Sequence, residues 1–111
     1  MGIQSRAENT IIVDLAPEPR IRDELDTVIE IIREGGGCDV VIDFSRVDIV
    51  SSLSLSGFLQ LRKLLNDCGH RLIFCSVAPM TQKIFNVTCL NGNFEFVSDK
   101  ATALETIQNA K

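Results

Sequence analysis

The chain has 111 residues, 45% of them hydrophobic, and a formal net charge of −4. That length gives room for one domain over residues 1–111 with a proper core, and an acidic chain with scattered Lys and Arg argues against any nucleic-acid partner. No apolar run approaches ~18 residues and no charged-then-apolar leader is present, so direct membrane insertion is not expected and a cytoplasmic protein is.

Six Phe with neither Trp nor Tyr predict a mainly aliphatic core. The four cysteines, Cys38, Cys68, Cys75 and Cys89, form no C-x-x-C pair, and the single histidine, His70, stands at no metal-ligand spacing. Neither a metal site nor a disulfide framework is expected, and no cofactor is called for. Each thiol borders an apolar segment and reads as a buried, reduced side chain.

Taken in order, Ile3 to Arg6 is a short strand that can pair as a hairpin with Thr10 to Leu15, whose β-branched content marks a strand. Pro17 and Pro19 break the pattern, after which Ile21, Leu25, Val28, Ile29 and Ile32 form one helical stripe. Gly35-Gly36-Gly37 stops that helix. The run follows a helix and precedes a strand, the reverse of the order a phosphate-cradling loop needs.

Val40 to Phe44 is a strand apolar enough to be covered on both faces. A helix over roughly Ser52 to Asp67 follows, with Leu55, Phe58, Leu61, Leu65 and Cys68 as its stripe. Gly57 within it predicts close packing of the helix onto the sheet, since glycine there costs about 1 kcal/mol against alanine. Cys68-Gly69-His70 ends the helix, with His70 read as an exposed turn residue, and Arg71 to Val77 is the next strand. Pro79 opens a short helix with Met80, Ile84 and Val87 as its stripe. Asn91-Gly92-Asn93 is a turn, Phe94 to Val97 a last strand, and Ser98 or Asp99 caps a final helix carrying Leu104, Ile107 and Ala110.

The order ββαβαβαβα predicts an α/β fold with a mixed, mostly parallel sheet of about five strands and four helices. Any chemistry belongs at the passage from Asp39 to Phe58, where a strand ends on Asp43 and a serine cluster opens a helix. Asp43 has no second carboxylate motif, base–nucleophile pair or metal cluster beside it, so the passage reads as a binding surface rather than an enzyme site. Val50, Leu53 and Leu55 are assigned to core packing, and an exposed Leu53 would instead indicate a docking surface.

Three local words carry a family resemblance: Asp43-Phe44-Ser45-Arg46-Val47, then Ser76-Val77-Ala78-Pro79 with Ile84-Phe85, then Phe94 to Val97 with Asp99 and Ala103-Leu104. In that order and spacing the chain, from about Thr10 onward, resembles the STAS domain shared by sulfate transporters and bacterial anti-sigma-factor antagonists. The resemblance implies a regulatory protein-binding module that switches partners with an anti-sigma factor that is also a serine kinase. In such antagonists the second helix opens with D-S-[ST]-G, and its serine is phosphorylated. The aligned residues are Ser51, Ser52, Leu53 and Ser54, so Ser52 is the implied phosphoacceptor, and Asp43, Ser45, Ser51, Ser52, Leu53 and Ser54 the implied partner surface. Ser51, Leu53 and Ser54 depart from the motif, which motivates an alternative: a stand-alone STAS subunit of a lipid-exporting ABC transporter, without a phosphorylation switch.

Overall fold

The computed structural model describes residues 3–7, 10–35, 38–88 and 94–109. Its elements are β1 (Ile3–Ala7), β2 (Thr10–Asp14), α1 (Ile21–Gly35), β3 (Asp39–Asp43), α2 (Ser52–Asp67), β4 (Leu72–Cys75), α3 (Pro79–Thr88), β5 (Glu95–Val97) and α4 (Lys100–Asn109). The expected order of five strands and four helices is therefore observed. The last two strands are shorter than the apolar runs that predicted them. Asn91-Gly92-Asn93, Cys89, Ala110 and Gly36-Gly37 lie outside the described residues.

One five-stranded sheet has the order β1-β2-β3-β4-β5, with β1 antiparallel to β2 and the other pairs parallel. Strand order advances in one direction without reversal. Right-handed crossovers therefore place α1, α2 and α3 on one face, and α4 packs on the other, against β3, β4 and β5. The strands alternate accordingly. Ile11, Val13, Val40, Ile42 and Phe74 join the core with α1 and α2, whereas Ile12, Val41, Ile73 and Cys75 join Ala103 and Ile107 of α4. Asp99 caps α4 by accepting the Thr102 N–H at 2.8 Å, which holds its carboxyl below the usual carboxylate range.

The core is mainly aliphatic, as composition predicted, but its phenylalanines are not scattered through it. All six phenylalanines, Phe44, Phe58, Phe74, Phe85, Phe94 and Phe96, converge in one cluster, with Phe74 at 5.0 Å from Phe44 and from Phe94 and Phe85 at 6.0 Å from Phe44. They come from four different elements and two loops, so only the tertiary fold makes them neighbours.

The α3 stripe also differs from the expected one. Thr81 and Phe85 are fully buried, while Met80 and Val87 are 68% and 84% exposed. Thr81 is drawn in because its hydroxyl donates to the Asp48 carbonyl at 3.1 Å, rotating Met80 outward. Cys38 and Cys75 are buried as expected, but Cys68 is exposed, beyond the last packed turn of α2. His70 is half-buried rather than exposed, its Nδ1 lying 3.4 Å from Asp39 Oδ1.

Gly57 faces α1, not the sheet. A Cβ there would sit 3.0 Å from Leu25 Cδ1 and 3.2 Å from both Arg22 Cδ and Nη1. Arg22 spans the helix pair, its Nη1 donating to the Leu53 carbonyl at 3.2 Å and Ser56 Oγ at 3.0 Å, its Nη2 to Gln60 Oε1 at 3.1 Å. Glycine at 57 lets the guanidinium lie flat across α2.

Candidate functional site

The site is built where β3 ends. Val40, Val41 and Ile42 are buried on both faces of the sheet, which fixes the strand and carries its last residue, Asp43, to the C-terminal edge. Asp43 Oδ1 accepts the Ser45 N–H at 2.9 Å, turning the chain, and Oδ2 faces Lys100 Nζ at 3.5 Å. Phe44, Val47 and Val50 are buried along the connection, leaving Ser45, Arg46, Asp48 and Ile49 exposed. The connection is pinned at both ends: the Val47 N–H donates to the Phe44 carbonyl, and Thr81 holds Asp48.

Helix α2 then starts on a serine cap. Ser51 has extended backbone (φ −80°, ψ 165°), and its Oγ accepts the Ser54 N–H at 3.2 Å. Glu18, from the loop before α1, completes the cap: Oε2 accepts the Ser51 N–H at 2.7 Å and the Ser54 hydroxyl at 2.8 Å. Burial alone would raise the Glu18 pKa, but these bonds, with others from the Ser51 side chain and the Ile21 N–H, outweigh it and hold the carboxyl below its ordinary 4.5. A negative group thus already sits at the positive end of α2. Sequence reasoning missed Glu18, since only a pairing across more than thirty residues reveals it.

The four helix-opening residues have separate fates. The Ser51 hydroxyl caps, and Ser54 is fully buried with its hydroxyl spent on Glu18. Ser52 is exposed at the first helical position, and its hydroxyl bonds to no described residue. Leu53, assigned to the core by its sequence, is 61% exposed, and Ile49 beside the cap is 66% exposed. Met80 adjoins Thr81, which ties α3 to the same connection, so it projects at this end too. Of the expected surface residues, Asp43 and Ser54 are buried, whereas Ser45, Ser51, Ser52 and Leu53 are exposed.

The arrangement can present a hydroxyl, short apolar side chains and a rigid cap to a macromolecule. Among the described residues no group of His, Cys, Asp and Glu is placed to hold a metal ion, and no helix is long and apolar enough to cross a membrane.

Solved structures resemble the chain closely in fold. An anti-sigma-factor antagonist (STAS) domain protein from Planctomyces limnophilus superposes with a TM-score of 0.79 at 17% identity, covering 96% of this chain and 97% of that one. SpoIIAA from Bacillus in its phosphorylated form gives 0.74 at 15% identity, covering 95% and 96%. The murine Solute Carrier 26 family member A9 anion transporter, in its inward-facing state, gives 0.72 at 13% identity, covering 95% of this chain and 18% of the transporter. No curated protein sequence matches the chain. The sequence model of the STAS domain matches residues 9–103, from the start of β2 into α4, and the chain belongs to that family.

Proposed function

We propose that this protein is a regulatory protein-binding module, that its partner docks over the start of α2, and that Ser52 is its phosphoacceptor. The observation that carries the reading is the contrast among three neighbouring serines. Ser51 and Ser54 spend their hydroxyls on the cap and on Glu18, whereas the Ser52 hydroxyl is exposed and uncommitted beside exposed Leu53 and Ile49. A phosphate at a helix N-terminus meets free N–H groups and a favourable dipole, so the fold tolerates it while a docked partner meets new charge and bulk. A phosphorylated SpoIIAA of the same fold supports the compatibility of this domain with such a group. The partner in this reading is an anti-sigma factor with serine-kinase activity, and the protein works in the cytoplasm as a non-enzymatic switch in transcription control.

The test is incubation with a cognate serine kinase and ATP, followed by mass spectrometry and a binding assay. Phosphate on Ser52, with loss of the complex, is the expected outcome. Absence of both phosphate and complex would reject the proposal.

One observation favours a second reading, a STAS subunit serving a membrane transporter. Glu18 already places a carboxylate against the α2 cap, so a phosphate on Ser52 also meets repulsion, while Leu53 offers an apolar contact that needs no modification. Part of an anion transporter shares the fold of this chain. Co-purification with a permease whose strength is unchanged by Ser52→Ala and lost with Leu53→Asp would select this reading.

A further inference from the structure

At the edge of the sheet opposite Ser52, where β4 and β5 begin and α2 ends, a cleft of about 250 Å³ is lined by Arg62, Asn66, His70, Arg71, Phe94 and Glu95. Its cationic groups are unequally committed. Arg71 is fully engaged: Nε donates to Glu95 Oε1 at 3.3 Å, Nη2 to Glu95 Oε2, and Nη1 to the Thr106 carbonyl at 3.3 Å. His70 sets Nδ1 against Asp39, which leaves Nε2 uncommitted. Arg62 is different. Its guanidinium carbon lies 5.7 Å from the centre of the Phe94 ring, its Nε is buried without a hydrogen-bond partner, and no carboxylate among the described residues pairs with it.

Nε is shielded from solvent, so a ligand in the cleft would meet the two Nη nitrogens, which no described residue bonds. Glu95 pairs with Arg71 and Asp39 lies against the His70 ring, so neither carboxylate is bonded to Arg62. The carbonyls at the end of α2 would oppose an anion, but Cys68 N–H caps Leu64 and Leu65, Gly69 N–H caps Asn66, and His70 N–H caps Leu65.

We propose that this cleft binds a small oxyanion, a carboxylate or a phosphate monoester, held by Arg62 with Asn66 and His70 beside it. A guanidinium presents paired donors that match two oxygens of such a group, and the Phe94 ring beneath it lowers the local polarity and strengthens the pairing. The cleft is smaller than the ~300 Å³ at which drug-sized pockets begin, so the ligand has few heavy atoms. Arg71, tied down by Glu95 and Thr106, serves as a fixed wall.

The test is an NMR titration of the intact chain at constant ionic strength with inorganic phosphate, acetate and, as control, chloride. Saturable shifts centred on Arg62, Asn66 and His70, produced by phosphate or acetate and not by chloride, are expected, and which of the two saturates assigns the ligand class. Arg62→Gln should weaken that binding by roughly tenfold or more, the size expected for losing a charged hydrogen-bond pair, and Arg62→Lys should restore part of it. Non-saturating shifts shared with chloride, or saturable binding that Arg62→Gln leaves intact, overturn the proposal. Phosphate binding here with no modification at Ser52, or the reverse, separates this site from the switch.

Discussion

The carboxylate of Glu18 accepts the backbone N–H of Ser51 at 2.7 Å, joining the loop before α1 to the first residue of the α2 cap. The same oxygen takes the buried Ser54 hydroxyl, so one side chain satisfies two donors at the helix start. Ser52 lies between Ser51 and Ser54 in the chain without taking part in the arrangement.

Replacing Glu18 with Ala should therefore lower stability by about 1–2 kcal/mol, the range for losing a helix cap. The change should appear as a lower urea midpoint with unchanged slope. Because the folded-state carboxyl is held below its ordinary 4.5, its contribution is present above that pH and fades as pH falls through the lower folded value. The gap between wild type and Glu18→Gln should narrow over that acidic window. A gap constant from neutral pH to the acid limit would show that the charge of Glu18 is not what matters.

Gly57→Ala should destabilise despite alanine's higher helix propensity, worth about 1 kcal/mol. The added methyl meets Leu25 Cδ1 at 3.0 Å and an Arg22 side chain held by three bonds to α2, and overpacking of this kind costs about 1–3 kcal/mol. Arg22→Ala should relieve the part of the clash that does not involve Leu25, so a double-mutant cycle should show coupling between positions 22 and 57. Independent effects would count against the packing account.

Thiol chemistry should divide by position. Burial, then the neighbouring Asp43 carboxylate, pushes the Cys75 thiol up to about 11 from its ordinary 9.0. Iodoacetamide at neutral pH should alkylate exposed Cys68 while sparing Cys38 and Cys75. Peptide mapping by mass spectrometry reads the difference, and denaturant should abolish the protection.

Phe74 touches five other phenylalanine rings and is fully buried, whereas Phe96 lies at the cluster's half-buried margin. Phe74→Ala should cost about 3–5 kcal/mol, a large part of the ~5–15 kcal/mol that holds a domain folded. Phe96→Ala should cost clearly less. Equal losses in thermal unfolding would place the cluster's centre elsewhere.

The sequence by itself determined the element order, the buried stripe of α1 and the serine-opened start of α2, because each is written in local spacing: period 3.6, period 2, and capping chemistry at a boundary. It also singled out Ser52 through the words around it. Tertiary structure alone decided what those elements face. Periodicity could not tell that Thr81 rather than Met80 turns inward, because a hydrogen bond from Thr81 to another loop rotates α3. Composition could not bring six phenylalanines together, nor could helix propensity reveal that Gly57 accommodates Arg22. The role of Glu18, and the separation of Ser51, Ser52 and Ser54 into cap, free hydroxyl and buried strut, likewise depend on a contact across the chain. Contacts between residues distant in sequence leave no periodic trace in it; the fold creates them when α1 and its leading loop dock beside the end of β3.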